Sequence, residues 1–96
     1  MSEELKKAYQ EKVEAQLKEW ADKVKALKNK AAGLGADAKI KTLEKIEDLK
    51  GKIKESSDHL SQLKDSGENE WEKLKEKIEG IGEGIKKTID EMMSNK

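Results

Sequence analysis

Few residue types in this chain could do chemistry. His59 is the single histidine and there is no cysteine, so a Cys-His pair is excluded and a Ser-His-Asp relay would have one imidazole to draw on. Glu55 precedes His59 by one helical turn, near enough to clip a single ion. A carboxylate-bridged di-metal bundle needs two Glu-x-x-His pairs, and the sequence has none. The plainer reading of His59, beside Leu60, is a side chain at a helix surface. Acidic residues number 21, but they are interleaved with 21 lysines. No carboxylate pair stands in an apolar setting that would raise a pKa for acid–base work, and solvated helix faces account for them.

Gly80-Ile81-Gly82-Glu83-Gly84-Ile85 is the most unusual local feature. It is neither GxGxxG nor a P-loop, because no strand precedes it and no Lys-Ser/Thr follows in register. Gly80 and Gly84 have the small-xxx-small spacing that lets helices approach closely. Otherwise the segment is a softened helix, three glycines costing roughly 3 kcal/mol against alanine, or a bend from which the last segment could detach. Nucleic acid is not an expected partner. There is no arginine, and each lysine cluster is diluted by acids. No catalytic, cofactor-binding or metal-ligating residue is therefore assigned. The expectation is a protein that is not an enzyme, has no cofactor and has no evident small-molecule substrate.

The elements that would position these residues are helices. The 96 residues include no proline, no phenylalanine and only 18 Leu, Ile and Val. This apolar share borders on that of disordered chains, but disorder also needs a large net charge, and here it is zero. Acid-before-base pairs at i,i+4 recur instead: Glu3–Lys7, Glu14–Lys18, Glu19–Lys23, Asp37–Lys41, Asp48–Lys52 and Glu83–Lys87. Apolar residues follow 3-4 spacing in three segments: Tyr9, Val13, Leu17, Trp20, Val24, Leu27 and Ala31; Ile46, Leu49, Ile53, Ser56, Leu60 and Leu63; then Trp71, Leu74, Ile78, Ile81, Ile85, Thr88 or Ile89, and Met92. That is the seam of helices packed side by side, and nothing alternates with period two. At these seam positions Trp20, Trp71 and Tyr9 read as core anchors rather than stacking platforms.

The breaks carry stop and start signals. Gly33 is suited to a left-handed helix end with Leu34 folding back, and Asp37 to an N-cap. Gly67 can end the second helix, with Asn69 and Glu72 at capping-box spacing for the third. Ser2, followed by Glu3 and Glu4, caps the first. The pattern predicts helices at about 2–32, 37–66 and 69–94 in one domain over 1–96. The fold class is all-α, an antiparallel three-helix bundle or coiled coil. The alternative is an extended helical hairpin, with the first two helices continuous, that oligomerises.

The segments Ala8-Tyr9-Gln10-Glu11-Lys12-Val13-Glu14-Ala15-Gln16-Leu17-Lys18-Glu19-Trp20, Asp37-Ala38-Lys39-Ile40 and Gly67-Glu68-Asn69-Glu70-Trp71-Glu72-Lys73-Leu74 resemble small bacterial Lys/Glu-rich coiled-coil proteins, sometimes labelled stress-response proteins. The resemblance spans nearly the whole chain, on motifs of low specificity. It implies a soluble helical protein without established catalytic residues. The glycines at 80–84 depart from that family, which favours stronger helix formers there.

These readings converge on a non-enzymatic helical coiled-coil interaction or protective protein, related to stress. Its partners would be further copies of itself or another helical protein. The alternative is a peripheral membrane protein using the C-terminal amphipathic helix 69–94. Against a membrane surface, that third of the chain is acidic, with Lys86, Lys87 and Lys96 near its end. No apolar run reaches the ~20 residues of a membrane span. The opening Met1-Ser2-Glu3-Glu4 lacks the pattern of a secretory leader, so the expected location is cytoplasmic.

Overall fold

The computed structural model describes residues 2–94; Met1, Asn95 and Lys96, the last counted above among the terminal cations, lie outside the described residues. Three helices follow one another, α1 (Glu3–Ala31), α2 (Ala36–Lys64) and α3 (Glu68–Ser94). Lys, Glu, Leu and Ala favour helix, and the absence of proline leaves each helix uninterrupted. Short connectors turn each helix back on the one before it. The result is an up-down-up bundle with extents of 51 × 17 × 17 Å, rather than the extended hairpin. Helix α2 packs closely against both neighbours, and the α1–α3 contact is the loosest of the three.

The helix ends follow the expected places with different chemistry. Ser2 Oγ accepts the Leu5 N–H at 3.1 Å, as an N-cap should. Gly33 is not left-handed: no described residue has a positive φ. Helix α1 instead leaves through right-handed Ala32, and the amides of Gly33 and Leu34 donate to Lys30 and Ala31 carbonyls at 3.2 and 3.0 Å. These i→i+3 bonds satisfy orphan carbonyls without a Schellman turn. The N-cap of α2 is Gly35, without a side-chain bond, and Asp37 falls inside the first turn, where it favours the helix dipole. Helix α2 stops at Lys64, two residues before the expected 66. The Asp65 amide donates to the Gln62 carbonyl at 3.1 Å, and the Ser66 hydroxyl donates to that of Leu63 at 2.9 Å. Gly67 belongs to the start of α3, its carbonyl accepting the Trp71 N–H at 2.9 Å. Asn69 is already helical, so the Asn69–Glu72 capping box does not form.

The seams meet in one continuous core. One cluster joins Val13, Leu17, Leu60, Leu63, Trp71, Leu74 and Ile78; the other joins Val24, Leu27, Ala31, Ile46, Leu49, Ile85 and Ile89. Trp20 and Ile53, both half-buried, pack against both clusters and bridge them. On α3 the buried line runs through Gly82 and Ile89, while Ile81 and Thr88 are half-buried. A Cβ built on Gly82 would stand 3.1 Å from Trp20 Cη2. The indole therefore lies against bare α3 backbone, and close approach occurs at the middle glycine, not at Gly80 and Gly84, where nothing lies within 4 Å of a Cβ.

Surface charge adds little. Glu19–Lys23 and Asp48–Lys52 close at 3.2 Å as expected. Glu14 crosses to Lys64 of α2 at 3.1 Å rather than pairing with Lys18. The Glu3–Lys7, Asp37–Lys41 and Glu83–Lys87 pairs are not closed, as suits exposed ions whose attraction barely exceeds the entropy of holding them together.

The glycines then divide by surroundings. Gly51→Ala, Gly80→Ala and Gly84→Ala place a methyl group in open space and should each add about 0.5–1 kcal/mol of stability through helix propensity. Gly82→Ala should add less than these, and Gly82→Val should lower stability by displacing Trp20. Urea unfolding followed by tryptophan fluorescence checks the order; a Gly82→Val protein as stable as the parent would contradict the packing described.

Candidate functional site

Helical periodicity places Glu55 and His59 one turn apart on α2, with His59 Nε2 3.8 Å from Glu55 Oε1. The imidazole side chain is 17% exposed, and its Nδ1 is buried without a hydrogen-bond partner. Among the described residues no group of three or more His, Cys, Asp or Glu side chains is arranged to hold a metal. The pair thus offers at most two donors, one short of the three protein ligands of a catalytic zinc site. His59 lies at the margin of the core, next to buried Leu60, and is more deeply buried than the surface position expected of it.

A second cluster was only partly legible in the sequence. Tyr9 from α1 and Trp71 from α3 meet with ring centroids 5.2 Å apart and planes tilted by 59°. Lys75, one turn beyond Trp71, holds its Nζ 5.4 Å from the Tyr9 ring centre and 5.5 Å from that of Trp71. Tilted aromatic pairs and a cation over a ring face are each worth about 0.5–1.5 kcal/mol beyond burial. Periodicity placed both rings on seams. The Trp71/Lys75 i,i+4 spacing was the available signal for the cation, but nothing local showed that Tyr9 would complete the stack.

The cluster has the chemistry of a packing anchor. The Tyr9 hydroxyl and Trp71 Nε1 are buried without partners. Burial, and secondarily the negative charge of Glu79, push the Tyr9 phenol up to about 12. At neutral pH it is a closed, uncharged group, not a base.

Beyond Tyr9, the loose α1–α3 contact leaves a groove of about 260 Å³ floored by Val13, Trp20, Ile78 and Gly82 and rimmed by Lys12, Glu79, Glu83 and Lys86. A second groove, of about 270 Å³, lies between Leu27, Leu34, Ala38 and Met92. Both fall below the ~300–1,000 Å³ of sites that enclose a small molecule; a larger depression of about 560 Å³ along α3, lined by Glu83, Lys86, Lys87, Asp90, Glu91 and Ser94, is wide open to solvent. Neither groove contains His59. The structure therefore gathers the candidate groups into no single cleft. Comparison with protein-family models, curated proteins and solved structures finds no match to this chain.

The Tyr9 environment sets a pH dependence. Its folded pKa lies above the ordinary value near 10, so the neutral phenol's contribution is complete below pH 10. It is lost as pH rises from about 10 toward 12, where the unfolded chain ionises first. Phenolate absorbance should titrate about two units higher in the native protein than in urea. Over that interval the parent should lose more stability than Tyr9→Phe, a comparison that cancels the lysines titrating in the same range. Equal losses in the two proteins would show that the hydroxyl is hydrated.

Proposed function

We propose that this chain is a non-enzymatic, cytoplasmic helical protein that acts through its surface as an interaction or protective protein related to stress. The carrying observation is that the apolar stripes of all three helices close on one another. Fourteen apolar side chains, both Trp71 and the Ile85/Ile89 pair among them, are at most 9% exposed. What faces water is mainly interleaved Lys and acidic side chains, a strongly hydrated shell that keeps a protein dispersed at high concentration. The likeness of the segments at 8–20, 37–40 and 67–74 to bacterial Lys/Glu-rich stress-response proteins supports the same reading. Further copies or another helical protein are the partners this surface suits; nucleic acid, lacking any arginine to meet it, is not.

A reporter enzyme heated with increasing amounts of this chain should scatter progressively less light, with no cofactor added. Scattering that merely equals that in the presence of the same mass of an inert globular protein would remove the protective role.

The peripheral-membrane alternative stands second. No helix among the described residues is long and apolar enough to cross a membrane. To lie on one, α3 would have to withdraw Ile78, Ile85 and Ile89, which are 4%, 0% and 1% exposed. Each such side chain is stabilised by about 1.5–3 kcal/mol on burial. Helix α3 also runs unbroken through Gly80–Gly84. Vesicles of neutral or anionic lipid should therefore leave the chain in the supernatant after sedimentation, and pelleting at low salt would reverse the preference.

A further inference from the structure

We propose that copies of this chain associate head to tail, the basic end of one rod meeting the acidic end of the next. In an up-down-up bundle the α1–α2 connector and the end of α3 share one end of the rod. The α2–α3 connector and the start of α1 share the other. Residues 28–41 at the first end carry four lysines and one aspartate, a net +3, which Asp90 and Glu91 in the last turns of α3 reduce to +1. Residues 64–72 at the second carry one lysine and four acids, a net −3 that Glu3, Glu4, Lys6 and Lys7 at the start of α1 leave unchanged; within the chain Lys64 is engaged with Glu14, and Glu68 is met by positive charge that includes Lys6. The asymmetry persists over whole halves. Dividing the rod at the Trp20/Ile53/Gly82 level, the half with residues 21–52 and 83–94 has 11 Lys against 8 acids. The half with residues 2–20 and 53–82 has 9 against 13. Opposite poles attract end to end, and like poles repel in any head-to-head pairing.

Apolar exposure falls in the same places. Among the described residues the large hydrophobic side chains left exposed are Leu5 (58%), Leu34 (38%), Ile40 (56%) and Met93 (46%). Leu34, Ile40 and Met93 stand at the basic end, Leu5 at the acidic end, and none along the flanks. At the basic end Leu34 also borders the groove formed with Leu27, Ala38 and Met92. A contact between unlike ends is heterologous and leaves a free end on each copy, so it grows without closing. A 17 Å by 17 Å end offers only about 300 Å² per partner, well below the interface of a stable complex. The association is therefore weak, dependent on concentration and sensitive to salt.

This assignment rests on the surface-acting reading for its class of partner. Its readout is mass rather than protection, so either can fail while the other stands. Sedimentation equilibrium at about 10 mM salt, where charges act over ~30 Å, should show a weight-average mass that climbs with concentration without a plateau. At about 1 M salt, where the range is ~3 Å, it should return to that of a single chain.

Two variants identify the surfaces. Lys39→Glu with Lys41→Glu reverses the basic end, and Asp65→Lys with Glu72→Lys reverses the acidic end. Each alone should lose the concentration dependence while keeping the parent helicity. An equimolar mixture should regain it, because the two reversed ends complement each other. A single-chain mass at every concentration in low salt, a plateau at two copies, or a mixture that stays monomeric would each overturn the proposal.

Discussion

Continuity of the core depends on Trp20 crossing to α3 at Gly82. With 18 Leu, Ile and Val in 96 residues, each helix has one apolar residue per turn or little more, enough for a single stripe and no second layer. The two buried clusters lie at opposite ends of the rod and are joined through Trp20 and Ile53. The indole spans the gap so closely that a Cβ at the facing position would stand 3.1 Å from its Cη2, and anything larger than a methyl group there would displace it. The glycine there supplies that room, at a cost in helix propensity of about 1 kcal/mol. Gly80 and Gly84 meet no such demand.

That thin core also explains why the molecule presents surfaces rather than a cleft. Three rods sharing one line of contact leave only small grooves between them, beside Trp20 and beside Leu34. The polar atoms caught inside, Ser56 Oγ, His59 Nδ1, Tyr9 Oη and Trp71 Nε1, are buried without partners. Each is a liability of about 1–3 kcal/mol against the fold, and two of them, on Tyr9 and Trp71, belong to the same ring stack.

The architecture was legible because helices declare themselves by period. The seam positions Val13, Leu17, Val24, Leu27, Ile46, Leu49, Leu60 and Leu63 are buried as their spacing requires, and Ser2 caps as its type requires. Details resting on a choice among nearly equivalent hydrogen-bond schemes were not legible. Gly33 permits a left-handed turn but does not impose one, and i→i+3 bonds from Gly33 and Leu34 close the same carbonyls. Asn69 and Glu72 have capping-box spacing, but a helix that begins at Glu68 places both beyond the cap. The shift of the α3 seam from Ile81 to Gly82 was hidden for a different reason. It is caused by Trp20, 62 positions away in the chain, and a periodicity confined to α3 carries no record of its neighbour. The candidate site was legible to the same extent: Glu55 and His59 are one turn apart as read, whereas the Tyr9–Trp71–Lys75 stack joins two helices.

The polarity of the charge distribution follows in part from the number of helices. In an even up-down bundle the helix dipoles cancel, and acidic N-termini and basic C-termini alternate at each end. With three helices, the N-termini of α1 and α3 share one end and face a single C-terminus. Complementing the dipoles locally gathers acids at that end, as Glu3, Glu4, Glu68 and Glu70 do; at the other end Lys28 and Lys30 complement α1, whereas the last turn of α3 has no basic residue. Each helix end carries only about half an elementary charge. One uncompensated helix therefore falls well short of the −3 and +3 that the two connectors carry. Complementation of helix ends supplies only part of that charge, because Lys39 and Lys41 lie at the N-terminal end of α2, against its dipole; the connectors' own composition makes the poles.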